Sequence, residues 1–206
     1  MRSSRRAHSS PGQLSLPGFD VAPPPATDGL FFAIFPDART AARIEQFARH
    51  LCSKYRWAPA PLALQRYHVT LHHLGNYSGG LPQAVVIKAI RAAATVTTRP
   101  FAVAFDRAED FRGNPLVLRA DEGVLALREF RDALGKALDS GGLAGHAQSA
   151  FTPHVTLAYH DGDGERRRVV ERLDEVIAWS VHEFVLVHSL LGQTRHVALA
   201  RWPLRS

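Results

Sequence analysis

The chain has 206 residues, 46% of them hydrophobic and 21% charged, with a net charge of +6 and a single cysteine. That length suits one domain with one core. It excludes a disulfide-built scaffold, and no apolar run reaches the length of a membrane span. The positive balance favours encounter with phosphates and nucleic acids but names neither.

Residues 1–27 are rich in Ser, Pro and Arg and lack periodic apolar positions. They predict a disordered or loosely packed N-terminal arm ahead of a single domain over 28–206. Prolines and glycines break any apolar segment behind the basic start, so a cytoplasmic protein without a signal peptide is expected. LFFAIF (30–35) is a continuous apolar run of strand length. Pro36 and Asp37 then open a helix with Ile44, Phe47, Ala48 and Leu51 at helical spacing. Cys52 sits among these apolar residues and reads as a small buried residue, not a reactive thiol.

YHVTLHHLG (67–75) reads as a strand ended by Gly75 and the turn-rich NYSGG. A helix follows from about Pro82 to Val96. FAVAFDRA (101–108) and NPLVLRA (114–120) predict two strands joined by a loop containing Gly113 and Asn114. A third helix covers roughly Val124–Asp139, with a break at GGLAGH. FTPHVTLAYH (151–160) is again a strand. The charged GERRRVVERLDEV (164–176) reads as a short helix or an ordered connection. WSVHEFVLVHSLLG (179–192) and RHVALARWPL (195–204) complete the chain as two strands around a Gly192 turn. Late strands that follow one another through short turns favour α+β with antiparallel sheets over a doubly wound parallel sheet.

The four residues HVTL occur twice, at 68–71 and 154–157. In a strand, side chains alternate faces, so His68 and Thr70 point one way and Val69 and Leu71 the other. His154 and Thr156 stand in the same relation to Val155 and Leu157. Each copy therefore pins two apolar residues into a core and presents an imidazole beside a hydroxyl. Brought to one cleft, two such pairs suit phosphodiester chemistry without a metal. A neutral imidazole takes a proton from an attacking hydroxyl or water, and a protonated one gives a proton to the departing alkoxide. Threonine hydroxyls donate to the non-bridging phosphate oxygens. The symmetry of the two copies leaves open which histidine is acid and which is base.

Paired H-x-T motifs on two strands resemble the 2H phosphoesterase superfamily, and most of all the bacterial RNA 2′,3′-cyclic phosphodiesterases, also called 2′-5′ RNA ligases. The resemblance runs over about residues 30–204, through LFFAIFPD, HVTLHHLG, FTPHVTLAY, FVLVHSLLG and ARWPL. It implies a bilobal α+β fold, with two antiparallel sheets facing a central groove and helices outside. It also implies hydrolysis of a 2′,3′-cyclic phosphate on RNA or a nucleoside to a 2′-phosphomonoester. His68 would then be the proton donor, His154 the proton acceptor, and Thr70 and Thr156 the phosphate-binding residues. Two alternatives are the reverse reaction, 2′-5′ ligation, and a non-catalytic RNA-end binder. Many relatives carry Arg after the second motif, where this chain has Ala158 and Tyr159, and His196 stands where the final hairpin often has an aromatic.

On an unbroken strand His72 would share the groove with Thr70. Arg195, His188 and Ser189 lie near the closing hairpin, and Phe111 and Tyr159 are aromatics able to stack on a base. No cofactor and no metal is expected, since H-E-x-x-H, zinc-spaced Cys/His, Walker and Rossmann patterns are all missing from the sequence. The partners implied are RNA ends or nucleotides bearing a cyclic phosphate, with no membrane and a monomeric state. QLSLPGFD resembles short clamp-binding peptides of bacterial DNA-repair proteins, although Pro17 interrupts the pattern. Residues 13–19 therefore carry the expectation of a peptide-type contact.

Overall fold

The computed structural model describes residues 24–56, 60–111, 115–146, 151–159 and 169–205. Residues 1–23 of the arm, the 13–19 stretch, Gly113, Asn114 and 160–168 lie outside the described residues.

Two four-stranded sheets, antiparallel throughout, carry the fold. The first has the order β2 (Val69–Tyr77), β1 (Asp28–Ile34), β7 (Glu183–Leu190), β8 (Arg195–Pro203). The second has the order β5 (His154–Ala158), β4 (Leu116–Arg119), β3 (Phe101–Asp110), β6 (Val170–Val181). Three helices complete the described architecture: α1 (Ala38–Tyr55), α2 (Gln83–Ala93) and α3 (Leu125–Leu138). The α+β expectation with two antiparallel sheets holds. Each HVTL copy lies along an edge strand, one in each sheet.

β1 is buried along its whole length because both of its faces are covered. Leu30, Phe32 and Ile34 join the main core, while Phe31 and Ala33 join a smaller cluster with Val185 and Val187. Asp37 caps α1, its carboxylate accepting from the Thr40 amide at 2.8 Å and the Thr40 hydroxyl at 2.9 Å, which satisfies amides that the first turn leaves open. Ile44, Ala48, Leu51 and Cys52 are buried along that helix, and burial pushes the Cys52 thiol up, away from reactivity. Among the described residues no helix is long and apolar enough to cross a membrane.

Three sequence readings are corrected. Val170–Val176 belongs to neither a helix nor a connection: it is the first half of β6, which pairs with β3. Its charged, alternating pattern suits a half-exposed strand, and Glu171 accepts from Lys54 at 2.8 Å and from the Tyr55 hydroxyl at 2.6 Å on α1. The 179–192 segment is two strands in different sheets, changing sheet at His182. Finally, β2 does not stop at Gly75 but continues to Tyr77. The last residues of the predicted arm are also held, since the Ser78 hydroxyl donates to the Pro24 carbonyl at 2.7 Å and the Thr27 amide to Tyr77 at 2.8 Å.

Candidate active site

The four apolar residues of the repeat, Val69, Leu71, Val155 and Leu157, are buried in the main core. Their partners His68, Thr70, His154 and Thr156 line one cleft of about 300 Å³ with walls from both sheets.

Each imidazole is held in the same way. Nδ1–H of His68 donates to the Arg66 carbonyl at 2.6 Å, and Nδ1–H of His154 to the Thr152 carbonyl at 2.8 Å. A carbonyl oxygen only accepts, so Nδ1 carries the proton in both rings and Nε2 is the atom that titrates. Each ring also stacks on a phenylalanine: His68 on Phe31 at 5.1 Å and 27°, His154 on Phe111 at 5.0 Å and 27°. Phe111, expected to be able to stack on a base, thus packs against His154, with the Arg119 guanidinium 5.8 Å from its ring centre.

Burial pushes His68 down to about 4, and the charges of His196, His154 and Arg66 act in the same direction against its bond to the Arg66 carbonyl. His154 is lowered by burial and then by Arg119, against its bond to Thr152. Both rings are therefore neutral at pH 7, and a bound anion offsets the cost of protonating either one.

Both motif strands break register at the same point. Ala33 pairs with Thr70 and Phe32 with His72, so Leu71 is an extra residue on β2. Val117 pairs with Thr156 and Leu116 with Ala158, so Leu157 is an extra residue on β5. A bulge of this kind reverses the facing of the residues beyond it. Leu71 and His72, like Leu157 and Ala158, are accordingly buried side by side. The cleft regains its next side chain at His73 on one strand and just past the other at Tyr159.

The expectation that His72 lines the groove is therefore corrected. It is 2% exposed, faces α3, and its Nε2–H donates to the Arg131 carbonyl at 2.9 Å. Of the hairpin residues, Ser189 lines the cleft, whereas His188 contacts Asp28 at 2.5 Å and Arg195 is exposed away from the cleft. His196 lines the cleft and meets the His68 ring edge-on at 5.2 Å.

Arg66, His73 and Asn76 also line the cleft and were not anticipated. A second register shift, at Leu74, returns Asn76 to the cleft wall, where its Oδ1 lies 3.0 Å from His73 Nε2. The available signal was Gly75, at φ 138°, inside a strand pattern, since glycine there marks irregular pairing. Among the described residues no group of three or more His, Cys, Asp or Glu side chains is arranged to hold a metal ion.

The crystal structure of E. coli LigT in its apo form superposes with a TM-score of 0.65 at 22% identity, over 88% of this chain and 100% of LigT. TT0787 of Thermus thermophilus superposes with 0.64 at 22% identity, over 86% of this chain and 98% of that one. LigT complexed with phosphate gives 0.65 at 23% identity, over 88% of this chain and 100% of LigT. These likenesses establish a shared fold. No curated protein matches the sequence. The family model described as the 2′-5′ RNA ligase superfamily matches residues 13–193, and the chain belongs to that superfamily.

Proposed function

We propose that the protein opens a 2′,3′-cyclic phosphate on RNA or a nucleoside to a 2′-phosphomonoester, without calling on a metal. The observation that carries this reading is the matched pair of imidazoles, each with Nδ1–H on a carbonyl and each beside a threonine, in one small cleft.

In this mechanism His154 Nε2 takes a proton from water as the water oxygen bonds to phosphorus. The bond from phosphorus to the 3′ oxygen breaks, and His68, protonated at Nε2 once the phosphate anion is bound beside it, gives that proton to the oxygen. Protonated His68 keeps its Nδ1–H on Arg66, so the ring does not turn when it gains or loses the proton at Nε2. Thr70 and Thr156 donate to the non-bridging oxygens, where negative charge grows. The assignment of donor and acceptor follows the resemblance to the family. That LigT, which shares the fold, has been solved complexed with phosphate supports a phosphate as ligand here. With a 5′-hydroxyl in place of water as the attacking group, the same steps in the same direction give 2′-5′ ligation.

The test is hydrolysis of nucleoside 2′,3′-cyclic phosphates by EDTA-treated protein, with phosphorus NMR reading the 2′ or 3′ product. His68→Ala and His154→Ala should each lower kcat at least about 100-fold. Turnover retained by both variants would remove the mechanism.

A further inference from the structure

Resting on the reading of the cleft as a phosphoester site, we infer that Arg66 binds a non-bridging oxygen of the substrate phosphate from the seam between the two sheets.

The position comes from the backbone. The segment before β2 crosses from one motif to the other. The Leu62 amide donates to the Leu157 carbonyl of the second motif at 2.8 Å, and the Arg66 carbonyl accepts from His68 of the first at 2.6 Å. A 3-10 turn at Leu64–Arg66 closes this crossing, so Arg66 is fixed where the two motifs meet. Its side chain lines the cleft together with both histidines and both threonines.

Its chemistry is uncommitted. Arg66 Nε is buried with no hydrogen-bond partner among the described residues, and a buried donor left unmade is costly. Arg119, the other guanidinium near a catalytic ring, is bound to Glu109. Arg107 is likewise engaged, with Glu109 at 3.1 Å and Asp121 at 3.0 Å. The residues after the second motif, Ala158 and Tyr159, bring no charge. Arg66 is therefore a cation in the cleft with donors to spare and no described carboxylate to neutralise it. A phosphate oxygen is the acceptor a guanidinium matches best. Its charge also reaches His68 and His196, lowering both.

The experiment is a titration with inorganic phosphate of wild type, Arg66→Gln and Arg66→Lys, followed by phosphorus NMR or calorimetry. Binding is the readout, so the result stands whether or not the protein opens a cyclic phosphate. Arg66→Gln should bind phosphate at least about tenfold more weakly, and Arg66→Lys within about fivefold of wild type, as expected for loss or retention of a charge-assisted donor. In the phosphate-free protein, Arg66→Gln should also raise the NMR titration midpoints of His68 and His196. Three results would overturn the assignment. They are wild type that binds no phosphate at about 20 mM, the range of a weak anion site, equal losses in the two variants, or Arg66→Gln binding within about twofold of wild type.

Discussion

Thr70 and His73 stand on the same wall of the cleft although they are three positions apart, because Leu71 is an extra residue in the pairing of β2 with β1. The consequence is a division of labour between adjacent histidines. His72→Ala removes a core side chain and its hydrogen bond to the Arg131 carbonyl. It should cost about 2–4 kcal/mol of stability while kcat/KM of the folded fraction stays within about threefold. His73→Ala, on the exposed wall, should change stability by less than about 0.5 kcal/mol and raise KM. Urea unfolding and steady-state kinetics on both variants check this, and the opposite pattern would place the bulge wrongly.

The same histidine explains a glycine in the middle of a helix. A Cβ added at Gly135 of α3 would lie 3.2 Å from His72 Cε1 and 3.4 Å from Nε2. In an open helix, Gly→Ala gains up to about 1 kcal/mol. Here the ring is tied to Arg131 and cannot yield, so Gly135→Ala should destabilise by about 1 kcal/mol. In the His72→Ala background the same change should become stabilising, because the obstruction is gone. A double-mutant cycle by thermal or urea unfolding reads the change of sign.

Each motif histidine stacks on a phenylalanine, Phe31 for His68 and Phe111 for His154, in the same geometry, and Phe35 adds a tilted contact to His68 at 5.7 Å. A flat ring fixes the imidazole plane and keeps water from one face, which a branched aliphatic side chain does less well. Phe31→Leu and Phe111→Leu should each lower kcat about tenfold with little change in KM. Both should also raise the titration midpoint of the adjacent histidine, since admitting water relieves the burial that lowers it. NMR of the imidazole protons, measured beside the kinetics, tests the two effects in one sample.

The sequence made the two-sheet α+β class, three helices and the pairing of residues 68, 70, 154 and 156 legible because each rests on local periodicity. Apolar spacing marks the buried sides of α1 and α3, and HVTL repeats strand alternation over only four residues. What failed was alternation carried too far. Counting two residues on from Thr70 puts His72 in the cleft, and one inserted residue is enough to move it to the core. Tyr159 escapes that count for the same reason on β5, being the third residue past Thr156 and still on the cleft. Arg66 was invisible for a different reason: it enters through a turn, and no periodicity relates a turn residue to a wall built from both sheets. Val170–Val176 reads as a helix or connection because its charged residues carry no strand signal and its partner, β3, lies some 60–70 positions earlier in the chain.

Stability should fall as pH is lowered from 7 towards 4. In the unfolded chain a histidine titrates near ~6.5, whereas burial brings His68 down to about 4 and also lowers His72, His154 and His196. Between these limits the unfolded state binds more protons than the folded state, so protons favour unfolding. Stability is full above the unfolded value and is lost as pH falls through the window towards the folded value. The carboxylates of Asp28, Asp37 and Glu171 are held low by their hydrogen bonds; they add losses of the same sign below the ordinary carboxylate range, outside most of the histidine window. The midpoint of thermal unfolding should therefore drop by roughly 5 °C or more between pH 7 and pH 5. Inorganic phosphate should reduce that drop, because an anion in the cleft stabilises the protonated rings. His68→Gln, which removes the most depressed of these groups, should show a shallower dependence over the same interval. A dependence as steep as that of wild type would mean that His68 is not buried neutral.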